Sequence, residues 1–384
     1  MARSESWSPL QLSCGAQLRN RFILAPMTTN SSNLDGTVSQ AELEYIRRRC
    51  ATEFAAGITS CAYVDDDGRS WQGIGAEQDA HIDSLREVAK AFKVSDGLAI
   101  LQLYDGGRLA DPKLVAPDAI RAPSAIPSLR PGALIPRPMT GEEVEDLIES
   151  FVAAAKRGAA AGFDGIELHG ANHYLIQQFF SPRSNKRTDR WGGSAENRMR
   201  FPLELTAAVK AAVSERLFVG YRINALETED GGYSIDDAAL LCSRLCELGV
   251  DYVHISMDDF RKRSPMREDR DWTAAVDPVE LANPISTLSR AINGRTAVIA
   301  SGGIKSLEDA QAALSAGATL LAVGRAALID PEWLAKLAND DAEAIRRELP
   351  ATSARIEAEL TIPRSMVDYV LSRPQWMPRE SEPA

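Results

Sequence analysis

The sequence contains few cysteines and few histidines. Its 384 residues include five cysteines and four histidines. No two cysteines form a CxxC pair, and Cys242 and Cys246 stand four residues apart on a predicted helix, where cysteine usually acts as a small buried hydrophobe. We therefore expect neither a disulfide framework nor an iron–sulfur cluster.

Long apolar runs and an excess of basic residues are also absent. The N-terminal stretch MARSESWSPL lacks the apolar segment of a signal peptide, and no later run approaches the length that spans a bilayer. Lysine and arginine total 43 against 54 acidic residues, a formal net charge of -11. Because nucleic acids and anionic membranes bind basic surfaces, this balance argues against both as partners. We expect a soluble cytoplasmic protein, and the sequence leaves a homo-oligomer open.

The chain does contain a regular alternation of short apolar segments and longer segments with helical periodicity. The predicted strands are 21–26, 57–64, 97–103, 163–169, 216–223, 250–257, 296–303 and 318–325, and the predicted helices are 39–56, 81–94, 142–161, 195–213, 235–248, 278–292, 306–316 and 331–338. The strand interiors are continuously apolar, as in strands buried on both faces. Eight such units in one chain of this length predict an α/β fold, a single (β/α)8 TIM-barrel domain over 1–384.

Several segments lie outside the repeating units. The stretch before Arg21 predicts a small hairpin that closes the bottom of the barrel, and the barrel itself is predicted over about 21–340, with a C-terminal extension over about 341–384. An inserted loop follows strand three over 106–138, and a polar loop follows strand four over 181–194. Loops this long in a compact barrel are usually functional.

Candidate site residues stand at the predicted strand ends, because TIM-barrel active sites lie at the C-terminal ends of the strands. They are Ala25, Pro26, Met27 and Thr28 after strand one, Cys61 and Ala62 in strand two, Gln102 and Tyr104 in strand three, His169, Asn172 and Tyr174 after strand four, and Arg222 in strand five. A glycosidase would need two carboxyl groups on either side of one bond, and strand seven ends without an acid to pair with Glu167. The strand ends therefore argue against a glycosidase.

Strands seven and eight end in glycine-rich turns. Ser301, Gly302 and Gly303 form the first turn, and Gly324 with Arg325 forms the second. Glycines allow backbone N–H groups to approach phosphate oxygens, and an arginine adds a charge-assisted hydrogen bond. Two such turns at the usual barrel position favour a phosphate site over the alternative that the glycines only shape tight turns.

At these residues the chain resembles the old yellow enzyme family of FMN-dependent NAD(P)H oxidoreductases over nearly its whole length. The matching stretches are LRNRFILAPMTTNS, AILQLYDGGR, DGIELHGANHYLIQQFFSPRSNKRTDRWGGSAENRMRF and IASGGI with AVGRAALIDPEW. The third is the most specific, because its spacing of HxxN, Tyr, SPxxNxRxD and GGSxENR is improbable by chance. Larger relatives append cysteine clusters and dinucleotide-binding domains, whereas this chain resembles the self-contained members.

The resemblance implies a bound FMN across the barrel mouth. Its phosphate would lie at Ser301, Gly302, Gly303, Gly324 and Arg325, its ring against Ala25, Pro26, Met27, Thr28 and Ala62, its pyrimidine edge against Gln102 and its N1 and O2 near Arg222. A fixed cation there stabilises the negative charge of the reduced flavin. The alternative for Arg222 is a salt bridge with Glu227 within the barrel.

The resemblance also implies an ene-reductase reaction in two half-reactions. NADPH or NADH would reduce the flavin and leave, and a small α,β-unsaturated carbonyl or nitro compound would then bind over the same ring. His169 and Asn172 would hold its oxygen, and Tyr174 would protonate the α-carbon unless it is a core aromatic residue. Asn30 and Tyr104 differ from common family patterns and are assigned to the substrate pocket. His173 would be a bystander at the pocket rim.

Two other functions fit parts of the pattern. His169 and His173 stand four residues apart, a spacing that on a helix would favour a metal-dependent barrel hydrolase. They follow a strand instead, however, and no HExxH motif occurs, so we expect no metal. The other alternative is a barrel that binds FMN or a sugar phosphate without turnover.

Overall fold

The computed structural model describes residues 5–213, 217–262 and 283–381. Its strands are β1 (Leu10–Gln11), β2 (Gln17–Leu18), β3 (Phe22–Leu24), β4 (Ala56–Ile58), β5 (Ala62–Tyr63), β6 (Leu98–Tyr104), β7 (Arg121–Ala122), β8 (Arg137–Pro138), β9 (Gly165–Gly170), β10 (Phe218–Asn224), β11 (Tyr252–Ser256), β12 (Ala297–Ser301) and β13 (Leu320–Val323). Eight of them pair in parallel in the order β4-β3-β13-β12-β11-β10-β9-β6, and β6 pairs back with β4. This closed sheet is the predicted eight-stranded barrel.

Helices follow the barrel strands and cover the outside of the sheet. They are α1 (Gln40–Cys50), α2 (Ile82–Phe92), α3 (Gly141–Ala161), α4 (Leu175–Phe180), α5 (Ala195–Ala212), α6 (Ile235–Glu247), α7 (Pro284–Ile292), α8 (Leu307–Ser315), α9 (Arg325–Ile329), α10 (Trp333–Ala338), α11 (Ser353–Leu360) and α12 (Arg364–Leu371). None of the helices in the described ranges has the length and hydropathy needed to cross a bilayer. All eight predicted helices occur, although the start of the one predicted at 278–292 lies outside the described residues.

Several element boundaries differ from the prediction. The first helix ends at Cys50 and not at 56, because Glu53 takes a φ of 69°, a left-handed conformation that a helix cannot continue through. The second strand is interrupted between β4 and β5. The eighth strand ends at Val323, and Arg325 begins α9 and does not end the strand.

The lower barrel interior is filled by bulky side chains from several strands of the sheet. Ile58, Ile100, Phe218, Tyr252 and Ile299 form one buried cluster with side chains from neighbouring strands. The antiparallel pair of β1 and β2 is the predicted N-terminal hairpin, and its leucines at 12 and 18 join the same cluster. The hairpin therefore closes the bottom of the barrel and leaves the opposite end for a site.

The inserted loop and the C-terminal extension, which both lie at the top of the barrel, each contain regular secondary structure. The inserted loop after β6 contains the parallel pair of β7 and β8. Arg121 in β7 forms ion pairs with Asp105 at 3.0 Å and Asp65 at 2.8 Å, so the loop is fastened to the end of β6. The C-terminal extension forms α11 and α12, and it brings Tyr369 and Trp376 to the barrel mouth.

Candidate active site

A cavity of about 320 Å³ lies at the C-terminal ends of the barrel strands. Most of its walls come from the predicted strand ends: Ala25, Pro26, Met27, Thr28, Gln102, His169, Asn172, Tyr174, Arg222, Ser301, Gly302, Gly303, Gly324 and Arg325. The parallel register brings these ends to one level, since His169 of β9 stands beside Arg222 of β10, which stands beside His254 of β11.

The end of β9 presents His169 to the cavity, and the turn after β9 presents Asn172. Asn172 has a φ of 57°, a left-handed conformation that asparagine tolerates better than most residues, and its N–H donates to Asn224 Oδ1 at 2.8 Å. Ser256 Oγ donates to Asn172 Oδ1 at 3.1 Å. The Asn172 carboxamide oxygen is thus occupied, and its Nδ2 is left as a donor.

His169 is a buried neutral imidazole. The Ala171 N–H donates to His169 Nδ1 at 3.4 Å, which leaves the ring proton on Nε2. Burial lowers the pKa of His169 well below its usual range, and the charge of Arg222 lowers this pKa further. At neutral pH the ring therefore offers one N–H donor without a charge.

Tyr174 lines the same cavity and packs between aromatic residues. Its ring centroid lies 4.9 Å from that of Tyr104 and 4.9 Å from that of His169. The Trp71 indole N–H donates to Tyr174 Oη at 2.5 Å. Burial raises the pKa of Tyr174 well above its usual value, and nearby Cys61 raises this pKa further, so the phenol stays protonated.

A charged cluster lies in the barrel directly below the cavity. Gln102 Nε2 donates to Glu167 Oε1 at 2.6 Å, and His254 Nδ1 donates to Glu167 Oε2 at 2.9 Å. Burial raises the pKa of Glu167, but His254, Arg222 and Gln102 outweigh it and hold the pKa below its usual value. Arg222 Nη2 donates to Ser256 Oγ at 3.0 Å, and the alternative ion pair with Glu227 is not formed within the described residues.

The glycine-rich turns lie at the other end of the cavity. Gly302 and Gly303 have φ values of 91° and 77°, and a Cβ on Gly302 would lie 2.4 Å from the Met257 carbonyl oxygen. A Cβ on Gly324 would lie 3.0 Å from Met27 Sδ. The Arg325 guanidinium donates to the Asp258 carbonyl oxygen at the edge of this turn. Only glycine fits at position 302, where the ends of β11 and β12 approach each other closely.

Residues 7–343 match the NADH:flavin oxidoreductase / NADH oxidase family. The chain belongs to this family. It is 40% identical over 335 residues to the NADH:fumarate oxidoreductase of Klebsiella pneumoniae (strain 342), covering 86% of this chain and 35% of that protein. It is 35% identical over 377 residues to the probable NADH-dependent flavin oxidoreductase YqiG of Bacillus subtilis (strain 168), covering 97% of each.

A solved structure supports the same assignment. The old yellow enzyme from Trypanosoma cruzi superposes with a TM-score of 0.72 at 26% identity, covering 88% of this chain and 92% of that one. The predicted family and the predicted barrel are therefore confirmed. Members of this family are FMN-dependent oxidoreductases of the kind that takes electrons from NADH or NADPH. This chain spans about a third of the length of the Klebsiella relative, which is thus a larger protein.

The residues of the cavity fit an FMN. At the end of the cavity formed by the glycine-rich turns, the backbone of the glycines and the Arg325 guanidinium suit a phosphate group. At the other end, Arg222 Nε is buried without a partner among the described residues, and Gln102 presents its amide oxygen because its nitrogen is bonded to Glu167. A free donor and a free acceptor in the same cavity suit the edge of a flavin ring, which carries both.

Three predicted site residues lie outside the cavity wall. Ala62 is fully buried in β5, and its neighbour Cys61 lines the cavity in its place. The Tyr104 hydroxyl accepts the Ser70 N–H at 3.0 Å behind the wall. Asn30 Oδ1 accepts the Gln72 N–H at 3.0 Å. The last two therefore support the loop that carries Trp71.

Other lining residues were not predicted from the sequence. They are Ser256, Met257, Asp258, Ile304, Lys305, Ala322, Ala326, Tyr369 and Trp376. Ile304 and Lys305 follow the predicted turn after β12, Ala322 and Ala326 stand beside the predicted turn after β13, and Ser256, Met257 and Asp258 lie at the end of β11, where no site residue was predicted. The two aromatic residues come from the C-terminal extension, where no local motif marks them.

His173 and His169 do not face a common site. Its Nε2 lies 3.4 Å from Glu229 Oε1 and its Nδ1 lies 3.7 Å from Glu227 Oε1 at the rim of the barrel. His169 lines the cavity instead. In the part of the chain that the structure describes, no three His, Cys, Asp or Glu side chains come together as a metal-binding group.

Proposed function

We propose that this chain is an ene-reductase that transfers hydride from NAD(P)H, by way of its flavin, to the activated C=C of an α,β-unsaturated carbonyl or related acceptor. The observation that carries the proposal is one cavity that holds two neutral donors, His169 and Asn172, together with the protonated phenol of Tyr174. The Klebsiella relative is named for fumarate, which is an α,β-unsaturated dicarboxylate.

Bound FMN would supply the hydride chemistry, accepting hydride from the nicotinamide and returning it to the acceptor. Pro26, Met27 and Thr28 would line the ring, with Gln102 and Arg222 at its pyrimidine edge. The phosphate would lie at Ser301, Gly302, Gly303, Gly324 and Arg325. These assignments are supported by the shared cavity wall and by the free polar atoms of Gln102 and Arg222.

His169 and Asn172 would hold the acceptor's oxygen. Negative charge develops on that oxygen as hydride reaches the β-carbon, and donors fixed in advance stabilise it without reorganisation. His169 Nε2 is held by the hydrogen bond at Nδ1, and Asn172 Nδ2 by the Ser256 bond at Oδ1. Both donors are therefore oriented before a substrate binds.

Tyr174 would supply the proton to the α-carbon. Its raised pKa keeps the hydroxyl protonated at neutral pH, and it lines the same cavity as the two oxygen donors. We further propose that the whole chain acts as one flavin-binding domain, because Tyr369 and Trp376 of the C-terminal extension complete the cavity wall.

Purified protein under anaerobic conditions tests the proposal. We expect a yellow protein with releasable FMN that NADH or NADPH bleaches, and whose colour returns on addition of cyclohexenone or fumarate. Colourless protein that cannot be reconstituted with FMN would contradict the cofactor site. Protein that is bleached but is reoxidised by neither acceptor nor by other activated alkenes would contradict the ene-reductase reaction.

A further inference from the structure

The Trp71 side chain occupies an unassigned position next to the phenol of Tyr174. Its indole N–H donates to Tyr174 Oη at 2.5 Å, a distance at the short end for a hydrogen bond with nitrogen as donor. An indole N–H is a donor only, so the Tyr174 oxygen must act as the acceptor, and the phenolic proton must point elsewhere. This bond therefore does not occupy the Tyr174 proton.

The loop that carries Trp71 is fixed on both sides. The Ser70 N–H donates to the Tyr104 hydroxyl, and the Gln72 N–H donates to Asn30 Oδ1, each at 3.0 Å. Tyr369 packs edge-on against the Trp71 ring, with centroids 5.5 Å apart. Three separate segments thus hold the loop and its one indole in place.

We propose that Trp71 is a positioning residue for proton transfer, whose N–H holds the Tyr174 oxygen and stabilises the tyrosinate that forms when Tyr174 gives up its proton. This inference rests on the proposed function. The step is balanced: the Tyr174 O–H bond breaks, a C–H bond forms at the α-carbon of the acceptor, and the electron pair stays on the phenolate oxygen until water reprotonates it. Hydride has reached the β-carbon from the reduced enzyme.

The burial of Tyr174 explains why such a donor would matter. The side chain is 5% exposed, and an anion there loses most of its hydration. Burial and Cys61 raise the pKa of Tyr174, whereas the Trp71 hydrogen bond acts in the opposite direction. A hydrogen bond to a charged group is stronger than one to a neutral group, so the Trp71 bond strengthens as the tyrosinate forms.

The kinetic test compares Trp71→Phe, Tyr174→Phe and the double variant in the FMN-loaded enzyme. Trp71→Phe should slow reoxidation by cyclohexenone about 10- to 100-fold, as expected for a lost hydrogen bond to a charged group. Reduction by NADH and reoxidation by ferricyanide, which forms no C–H bond, should keep their wild-type rates. In the Tyr174→Phe background, Trp71→Phe should cause no further loss. Trp191→Phe, which replaces a buried tryptophan that does not line the cavity, is the matched control.

A spectroscopic test does not depend on turnover. In protein labelled with 15N-tryptophan, the Trp71 indole signal is identified by its absence from Trp71→Phe, and it should shift upfield in Tyr174→Phe. An unshifted signal, a wild-type rate for Trp71→Phe, or an equal loss in both backgrounds would overturn the inference while leaving the proposed reaction in place. A wild-type rate for Tyr174→Phe would overturn both the proton-donor assignment and this inference.

Discussion

Gln102 and Glu167 are joined by a hydrogen bond of 2.6 Å inside the barrel, directly below the cavity. The same carboxylate accepts from His254 at 2.9 Å, so both of its oxygens are occupied. The bond fixes which end of the Gln102 amide faces the cavity. It also holds the fully buried carboxylate of Glu167, which interacts electrostatically with the Arg222 guanidinium.

Replacing Glu167 with glutamine should therefore destabilise the protein. The substitution keeps the side chain's shape but removes the charge that offsets Arg222, and breaking a buried charge arrangement costs about 3 to 5 kcal/mol. Urea unfolding of the flavin-free protein measures this loss. Glu44→Gln, at an exposed position on α1, should change the free energy of unfolding by less than about 0.5 kcal/mol. Equal stability of the two variants would contradict the prediction.

Arg121 attaches the inserted loop to the end of β6 through its ion pair with Asp105. Asp105 is 1% exposed, and Arg121 Nη2 lies 3.0 Å from its Oδ2. Arg121→Met would leave this buried carboxylate without its cation, so we expect the free energy of unfolding to fall by about 3 kcal/mol or more. Arg86→Met is the matched control, because Arg86 pairs with the exposed Asp83 on the surface of α2. Similar unfolding curves for the two variants would rule out this role.

The turn after β12 should tolerate no side chain. Gly302 and Gly15 both have a φ of 91°, but a Cβ at Gly302 meets the Met257 carbonyl oxygen at 2.4 Å, whereas a Cβ at Gly15 meets nothing within 4 Å. Gly15→Ala therefore carries only the backbone strain. We expect Gly302→Ala to weaken FMN binding about 10-fold or more, corresponding to a loss above about 1.4 kcal/mol, with Gly15→Ala close to wild type. Flavin fluorescence titration of the flavin-free proteins provides the measurement.

Stability should fall as the pH drops from about 6.5 to 5. Burial lowers the pKa of His169 and of His254, so the unfolded chain takes up protons in this range that the folded chain does not. Each histidine then reduces the free energy of unfolding by up to about 1.4 kcal/mol per pH unit. In urea unfolding at several pH values, His169→Asn should show a shallower decline than wild type. Parallel declines would contradict a buried neutral His169.

The sequence predicted the barrel because its evidence is local. Each strand is a short apolar run. Glycines follow the C-terminal ends of β12 and β13, and the sequence motif itself shows that these positions lack side chains. The HxxN spacing likewise lies within one turn, so His169 and Asn172 were predicted together, and the structure places both on the cavity wall.

Two features could not be read from local patterns. The second strand was predicted as one run, but it is interrupted after Ile58, so side-chain alternation does not hold across the break and Cys61 lines the cavity where Ala62 was expected. Tyr369 and Trp376 reach the cavity only because α12 docks at the barrel mouth, which depends on tertiary packing. The positions of Tyr104 and Asn30 behind the cavity wall likewise depend on tertiary contacts, with Ser70 and Gln72.

Phenol titration of the FMN-loaded protein is the most direct test of the central claim, that His169 and Asn172 bind the acceptor's oxygen. Phenols mimic the enolate oxygen and perturb the flavin absorbance when they bind. Replacing both residues with alanine should leave FMN bound, weaken phenol binding strongly, and slow reoxidation by cyclohexenone by about 10²-fold or more. Phenol binding and reoxidation at wild-type levels in the double variant would contradict the assignment.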